Sequence, residues 1–398
     1  MNNKENSPFT PGNPVPVELF VGRIEKIKEV IRYVKQTSSG KQENVFLTGD
    51  RGIGKSSLSS FLCDYVTTKE NFLAIHVFLG TVSNLEELVR HIFDQLLKET
   101  RKHKWFDNIS QLFGRYIRQV GLFDISVSFT PPDKDLKELV RNFPEALANI
   151  LEKIKDEKKG LFIVLDDING LAEKVEFANW YKSFVDQVAT HYDNFPVFIM
   201  LAGLSEKRNI LSTLQPSLMR IFRIVEIEKL TDEEVKYFFS SAFKKVNMKV
   251  KSDSMNLMVR YSSGLPILMH EIGDATFWLD TDNIINEKDD IGGIIEAAGR
   301  IGKKYLEPKF YGAVRSKYYR SIIRKFEKIP VSIHFTKREV EARLNENEKG
   351  VFNNFLKKLR DLGIIEPDME RGKGAYRFVN AIYPVYIWME SRISEKKR

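Results

Sequence analysis

Cysteine is nearly absent: Cys63 is the only one in 398 residues. No disulfide can close within the chain and no cysteine-based metal cluster can assemble, a usage that fits a reducing cytoplasm. Cys63 falls on the helical pattern behind a glycine-rich turn and reads as a small core residue. Long apolar runs are missing too. No uninterrupted stretch approaches the roughly 20 residues needed to cross a bilayer, and no apolar signal segment opens the chain. A soluble, cytoplasmic protein with no membrane partner is expected. Acid is short in one region only: residues 301–398 hold 23 Lys and Arg against 12 Asp and Glu, a balance of +11, which leaves −3 for the rest of a chain whose total is +8. A basic partner-binding surface would belong to that last quarter.

What is present is ample for folding. The apolar fraction is 42% with 12% aromatics, which excludes general disorder, and the length suits two or three domains. The most informative stretch is Gly49-Asp50-Arg51-Gly52-Ile53-Gly54-Lys55-Ser56-Ser57, which fits the phosphate-binding pattern G-x-x-x-x-G-K-[ST] at every fixed position. The apolar run Val45-Phe46-Leu47-Thr48 before it reads as a buried strand, and Leu58, Phe61, Leu62 and Tyr65 after it recur at helical spacing. Glycines let successive N–H groups turn inward onto phosphate, and the helix N-terminus adds partial positive charge. Lys55 would reach β- and γ-phosphates, and the Ser56 hydroxyl would ligate Mg²⁺. A bound nucleoside triphosphate is the expectation.

The second decisive stretch is Leu161-Phe162-Ile163-Val164-Leu165-Asp166-Asp167, a strand buried on both faces that carries two carboxylates at its carboxyl end. Parallel sheets bind ligands at that end. Asp166 would hold Mg²⁺ directly or through water, and Asp167 would orient an attacking water. Further buried strands are read at 72–79, with His76 as a satisfied core or edge residue, and at 196–202. After the latter, Ser205 is either a sensor of the γ-phosphate or a helix N-cap. A helix is expected over 84–101, and a long one over 136–154 divided by the proline near its middle. Between them, Ile125-Ser126-Val127-Ser128-Phe129 alternates like a half-exposed strand in an insertion or hairpin.

Helices are expected at 231–246, opened by the capping box Thr231-Asp232-Glu233-Glu234, at 252–262 and at 266–279, together a small lid. From about Lys303 the sequence turns basic and aromatic. Helical patterns at Tyr318 to Phe326, after Thr336, and at 350–362 are followed by the strand pair Ile364-Ile365 and Tyr376-Arg377-Phe378-Val379, which describes a winged helix-turn-helix. The expected divisions are an extended, proline-bearing lead-in at 1–19, an α/β core with a parallel P-loop NTPase sheet at 20–228, a helical lid at 229–300 and a basic winged-helix domain at 301–398.

With both nucleotide motifs in place, residues 20–388 resemble the AAA+/STAND group of P-loop ATPases, and within it the archaeal and bacterial ATPases related to origin-recognition initiators. Phe20-Val21-Gly22-Arg23 resembles the family's FVGR box, which implies packing near the adenine. Asp166-Asp167 is similar to the STAND form of the acidic strand end. Arg220 falls where the family carries an arginine finger that completes a neighbour's site, with Arg223 as substitute; a surface or core-rim arginine is the other reading. Gly264-Leu265-Pro266 resembles the G-x-P element of STAND lids, which implies a Pro266 contact with the base, against a plain helix start. No arginine follows at the second-sensor position, so the resemblance implies slow hydrolysis rather than that of a motor.

Two function classes follow. One is a nucleotide-switched DNA-binding ATPase with ATP and Mg²⁺ as cofactors, which assembles as a nucleotide-dependent homo-oligomer. In it Asn353, Asn354, Lys357 and Lys358 would enter the major groove of duplex DNA, with Arg371 and Lys373 of the wing on phosphates; a solvated basic face is the alternative for these side chains. The other is a STAND-type signalling or defence switch whose winged helix contacts a protein partner. A small-molecule kinase shares the phosphate loop but has no need of lid and winged helix.

Overall fold

Strands that run parallel without interruption by polar residues must be covered on both faces, and three segments of this chain satisfy that demand. The computed structural model describes residues 4–13, 15, 20–101, 103, 106–120, 126–310, 316–326 and 333–388. Contacts divide the chain into two units, Pro16–Glu228 on the one hand and Met1–Val15 with Lys229–Arg398 on the other.

In the first unit the order is α1 (Ile24–Thr37), β1 (Glu43–Thr48), α2 (Lys55–Lys69), β2 (Leu73–Phe78), α3 (Leu85–Thr100), α4 (Phe106–Phe113), β3 (Ile117–Val120), β4 (Ser126–Phe129), α5 (Asp133–Arg141), α6 (Phe143–Ile154), β5 (Leu161–Asp166), α7 (Val175–His191), β6 (Val197–Gly203), α8 (Ser205–Leu214) and β7 (Arg223–Glu226). Five strands form one sheet in the order β2-β5-β6-β1-β7, and every pairing is parallel. Every residue of β5 and β6 is buried, as are five of six in β1. β1 lies between β6 and β7, so the loop that leaves it opens at the carboxyl edge, where the strand order reverses.

α3 forms because Asn84 accepts a hydrogen bond from Glu87 N at 2.8 Å, while Leu85, Leu88, Val89, Ile92, Phe93, Leu96 and Leu97 make one buried stripe. Against that stripe β3 and β4 fold as an antiparallel hairpin with Ile117 opposite Phe129. Phe129 packs its ring near Phe93 and Phe113, and its N–H donates to Asp94 Oδ1 at 3.0 Å. The hairpin expected here is therefore a structural cover for α3; Ile125 of the expected strand lies outside the described residues. The expected long helix divides at Asn142, with Pro144 in the first turn of α6.

The second unit runs α9 (Asp232–Lys245), β8 (Lys249–Val250), α10 (Ser252–Ser262), α11 (Pro266–Leu279), β9 (Ile284–Ile285), α12 (Glu287–Ile301), α13 (Glu307–Phe310), α14 (Lys317–Lys325), β10 (His334–Thr336), α15 (Lys337–Glu341), α16 (Glu346–Asp361), β11 (Ile365–Pro367) and β12 (Ala375–Phe378). β10, β12 and β11 form a three-stranded antiparallel sheet in that order. The helix α12 corrects the three-helix reading of the lid. Gly292, Gly293 and Gly299 weaken its helical pattern, yet Gly293 is what admits α11: a Cβ there would stand 2.1 Å from Thr276 Oγ1.

The N-terminal residues are anchored to this second unit. Phe9 is buried among Phe238, Phe239, Phe243 and His270. Thr10 N donates to His270 Nδ1 at 3.0 Å, and Lys4 Nζ lies 3.1 Å from Asp280 Oδ2. At the other end of the chain Ala381 N donates to Ser263 Oγ at 3.0 Å, Lys229 Nζ donates to Val379 O at 3.1 Å, and Tyr386 lies against Gly302.

Candidate nucleotide site

The loop 49–54 passes from the end of β1 into α2 with Gly54 as N-cap at φ 95°, and no side chain caps the helix. A left-handed backbone at that point favours glycine, and an uncapped helix start presents N–H donors to an anion. Lys55 Nζ donates to the carbonyls of Gly49 at 2.8 Å and Asp50 at 2.9 Å, so its ammonium lies back across the loop. Burial lowers the Lys55 pKa, and the charges of Asp166, Asp50 and Asp167 oppose that shift. Arg51 is exposed and Ile53 is buried beneath the loop, while Gly52, Ser56 and Ser57 are half-buried.

Asp166 ends β5 and is buried, at 2% exposure. Its Oδ1 accepts from Asp167 N at 2.9 Å, and its Oδ2 is 3.0 Å from His76 Nε2. His76 Nδ1 is in turn 3.2 Å from Ser60 Oγ on α2, and the ring stacks on Phe78 with centroids 4.2 Å apart. His76 is thus satisfied, as expected, but its partner is the acidic strand end. Asp167 adopts φ 58°, a left-handed conformation that Asp tolerates, and Asn169 Nδ2 donates to its Oδ1. The Oδ1 of Asn169 accepts from Leu204 N at 3.2 Å, which ties the ends of β5 and β6 together. Neither His76 nor Asn169 was a site candidate from sequence; the spacing Asp-Asp-x-Asn was the only available signal for the second.

The FVGR segment contacts the phosphate loop through its arginine. Arg23 is buried at φ 60°, and its guanidinium donates to Ile53 O and to Gly54 O, the latter at 3.4 Å. It braces the phosphate loop from behind α1. Phe20 stacks on Phe61 of α2 with centroids 4.8 Å apart, while Val21 and Gly22 are half-buried between them in sequence.

Ser205 is the first residue of α8, not its N-cap, which is Leu204. Its hydroxyl accepts from Thr48 Oγ1 at 3.0 Å, at the base of the phosphate loop. Arg223, the expected substitute for the finger, pairs its guanidinium with Glu43 at 2.8 Å and lies 4.6 Å from the Tyr33 ring centroid. That pair holds the amino end of the sheet. Arg220 ends a short 3₁₀ turn just before β7 and is exposed, and among the described residues no ion pair engages it. Pro266 opens α11 in the other unit. There too, Asn353, Asn354 and Lys357 are exposed along α16, with Lys358 half-buried, and Arg371 and Lys373 are exposed on the β11–β12 turn. Arg371 Nε is 3.7 Å from Asp368 Oδ2.

A phosphate loop at the carboxyl edge of a parallel β2-β5-β6-β1-β7 sheet, with an acidic end on β5, defines the P-loop ATPase fold. More narrowly, residues 19–180 match the family model described as AAA ATPase domain. The whole chain is similar in fold to the ORC2 protein of Aeropyrum pernix, solved as ADPNP-ADP complexes, with TM-score 0.59 and 12% identity over 99% of each chain. It is also similar to a Walker-type ATPase of Pyrococcus abyssi, with TM-score 0.54 and 14% identity over 92% of this chain and 96% of that one. A curated relative, an uncharacterised HTH-type transcriptional regulator of Methanocaldococcus jannaschii, is 21% identical over 226 residues. That match covers 54% of this chain and 51% of the relative, so the chain spans about half the length of the curated relative it matches. Among the described residues no helix is long and apolar enough to cross a membrane.

Proposed function

We propose that residues 19–180 belong to an AAA ATPase domain that binds ATP and hydrolyses it slowly, and that the nucleotide state switches DNA binding by the basic C-terminal residues. The observation that carries the nucleotide half is the Lys55 ammonium, held across an uncapped helix start. The triphosphate would lie on the N–H groups of that start, with Lys55 turning from its own carbonyls to the β- and γ-oxygens. Ser56 and Asp166 would hold Mg²⁺, which neutralises charge on those oxygens when bound. One hydroxyl and one carboxylate fit an ion that keeps phosphate and water as its remaining ligands. Among the described residues no group of three His, Cys, Asp or Glu makes an all-protein cage. Asp167 would orient the attacking water.

The DNA half rests on charge and order of elements. Helix, strand, helix, helix, strand, strand (α14, β10, α15, α16, β11, β12) is the succession of a winged helix, and the relative from Methanocaldococcus jannaschii is named as HTH-type. Buried Phe352, Phe355 and Leu359 turn Asn353, Asn354 and Lys357 outward. In the groove Asn353 and Asn354 would read adenine edges, and Lys357, Lys358, Arg371 and Lys373 would meet phosphates. The test is fluorescence anisotropy of the full chain on duplex DNA, with and without ATP, at two salt concentrations. Binding that strengthens with ATP, and a salt slope that flattens by about two units in Lys357→Glu/Lys358→Glu, are expected.

A second reading is a STAND-type switch that acts on a protein partner. It is favoured by the packing of the C-terminal residues into the lid unit through Ala381–Ser263 and Tyr386–Gly302. Equal DNA binding by the parent and the double variant would select it.

A further inference from the structure

Beyond the residues of the two nucleotide motifs, we propose that His76 is a positioning residue that fixes the Asp166 carboxylate for Mg²⁺. The inference rests on the nucleotide-site reading above. The two oxygens of Asp166 are clamped by different donors: the Asp167 amide on Oδ1 and the His76 ring on Oδ2. Two donors on opposite oxygens stop rotation of the carboxylate plane and leave each oxygen a further lone pair. The ring is itself held. If Nε2 carries the proton toward the carboxylate, Nδ1 is the acceptor that the Ser60 hydroxyl needs, so one neutral tautomer satisfies both contacts. Phe78 covers the ring face.

The placement of Ser60 extends this to the helix that carries the other metal-side group. Ser56 and Ser60 are four residues apart on α2 and share a face. The chain Ser60–His76–Asp166 therefore joins α2, β2 and β5 at the point where a hydroxyl and a carboxylate must present themselves at fixed separation. Outer-shell partners of this kind typically change metal affinity by about 10- to 100-fold when removed.

The experiment uses the full chain and the fluorescent nucleotide mant-ADP, titrated with Mg²⁺ and separately in EDTA. His76→Phe keeps a planar ring against Phe78 but has no donor, whereas His76→Gln keeps an N–H near the Nε2 position. In His76→Phe the Mg²⁺ concentration at half-saturation rises about tenfold or more, while affinity in EDTA stays at the parent value. His76→Gln restores most of the loss. Ser60→Ala, which leaves the ring in place and disturbs packing least, shifts half-saturation in the same direction by less. An unchanged half-saturation in His76→Phe and Ser60→Ala overturns the proposal, as does an equal loss in EDTA and Mg²⁺, which marks a purely structural histidine. A parent that binds no mant-ADP under either condition overturns the nucleotide-site reading itself.

Discussion

At the scale of single residues, Lys55 shows how the site holds a charge in a place that disfavours it. Burial pushes its pKa down, and Asp166, Asp50 and Asp167 push back. Lys55→Ala removes that ammonium and its charge-assisted hydrogen bonds, each worth about 1.5–3 kcal/mol. ATP affinity in a mant-ATP titration is expected to fall by roughly 10- to 100-fold; unchanged binding by the folded variant refutes the site. Asp167 is suited to the opposite kind of test. Its left-handed backbone at φ 58° is tolerated by Asn as well as Asp, so Asp167→Asn changes charge without changing shape. MgATP binding should persist while turnover drops by about 100-fold or more, and turnover at the parent rate would remove Asp167 from the water-orienting role. The residues of these two motifs were legible because their spacing is local. His76 was not: its partner Asp166 is 90 positions away, and only the neighbouring parallel strands β2 and β5 bring them together.

Among elements, the helices were legible where caps and apolar stripes agree. The capping box Thr231–Glu234 opens α9 as expected, and Thr336–Glu339 opens α15. α16 is opened by Asn345 and Glu348, and here the structure adds what periodicity cannot. Glu348 is buried, and it accepts from Ser321 Oγ at 2.7 Å and from Lys325 Nζ, which ties α16 to α14. The prolines of the N-terminal segment predict an extended lead-in, and their pattern carries no trace of its anchor on α9 and α11. That anchor predicts a pH dependence. Burial depresses the His270 pKa to about 4, against about 6.5 in an unfolded chain. The ring is neutral in the folded protein and accepts from Thr10 N. As pH falls from 6.5 toward 4 the unfolded form takes up the proton first, so stability present above the unfolded pKa is lost across that window. The full loss is on the order of 3 kcal/mol. Thermal unfolding of the parent and His270→Gln between pH 7 and 4 checks it: the parent curve should fall more steeply, and parallel curves would refute the buried neutral ring.

For the whole molecule, the placement of Arg220 bears on assembly. Strand β7 begins at Arg223, which pairs with Val45, and ends at Glu226, which pairs with Thr48. Arg220 therefore stands off the amino end of the sheet, while the phosphate loop leaves the carboxyl end. About 10 Å of strand separates those ends, which sets Arg220 away from its own loop; as the proposed arginine finger it would have to act on a neighbour's. Arg220→Ala subunits mixed with Asp167→Asn subunits should then recover ATPase activity, because some shared sites hold both intact groups. Sedimentation should show ATP-dependent association. A monomer that hydrolyses ATP normally without Arg220 refutes sharing. The sequence by itself determined the P-loop, the acidic strand end, the order of core strands along the chain and the basic bias of the last quarter, because each is set by neighbours within a few residues. Tertiary structure alone decided that Arg223 is bound to Glu43 and Tyr33, that Arg23 braces the loop, that Phe9 is buried among Phe238, Phe239 and Phe243, and that His76 faces Asp166. Those contacts join residues far apart in the chain, and no local periodicity encodes which distant side chain closes a hydrogen bond or fills a space.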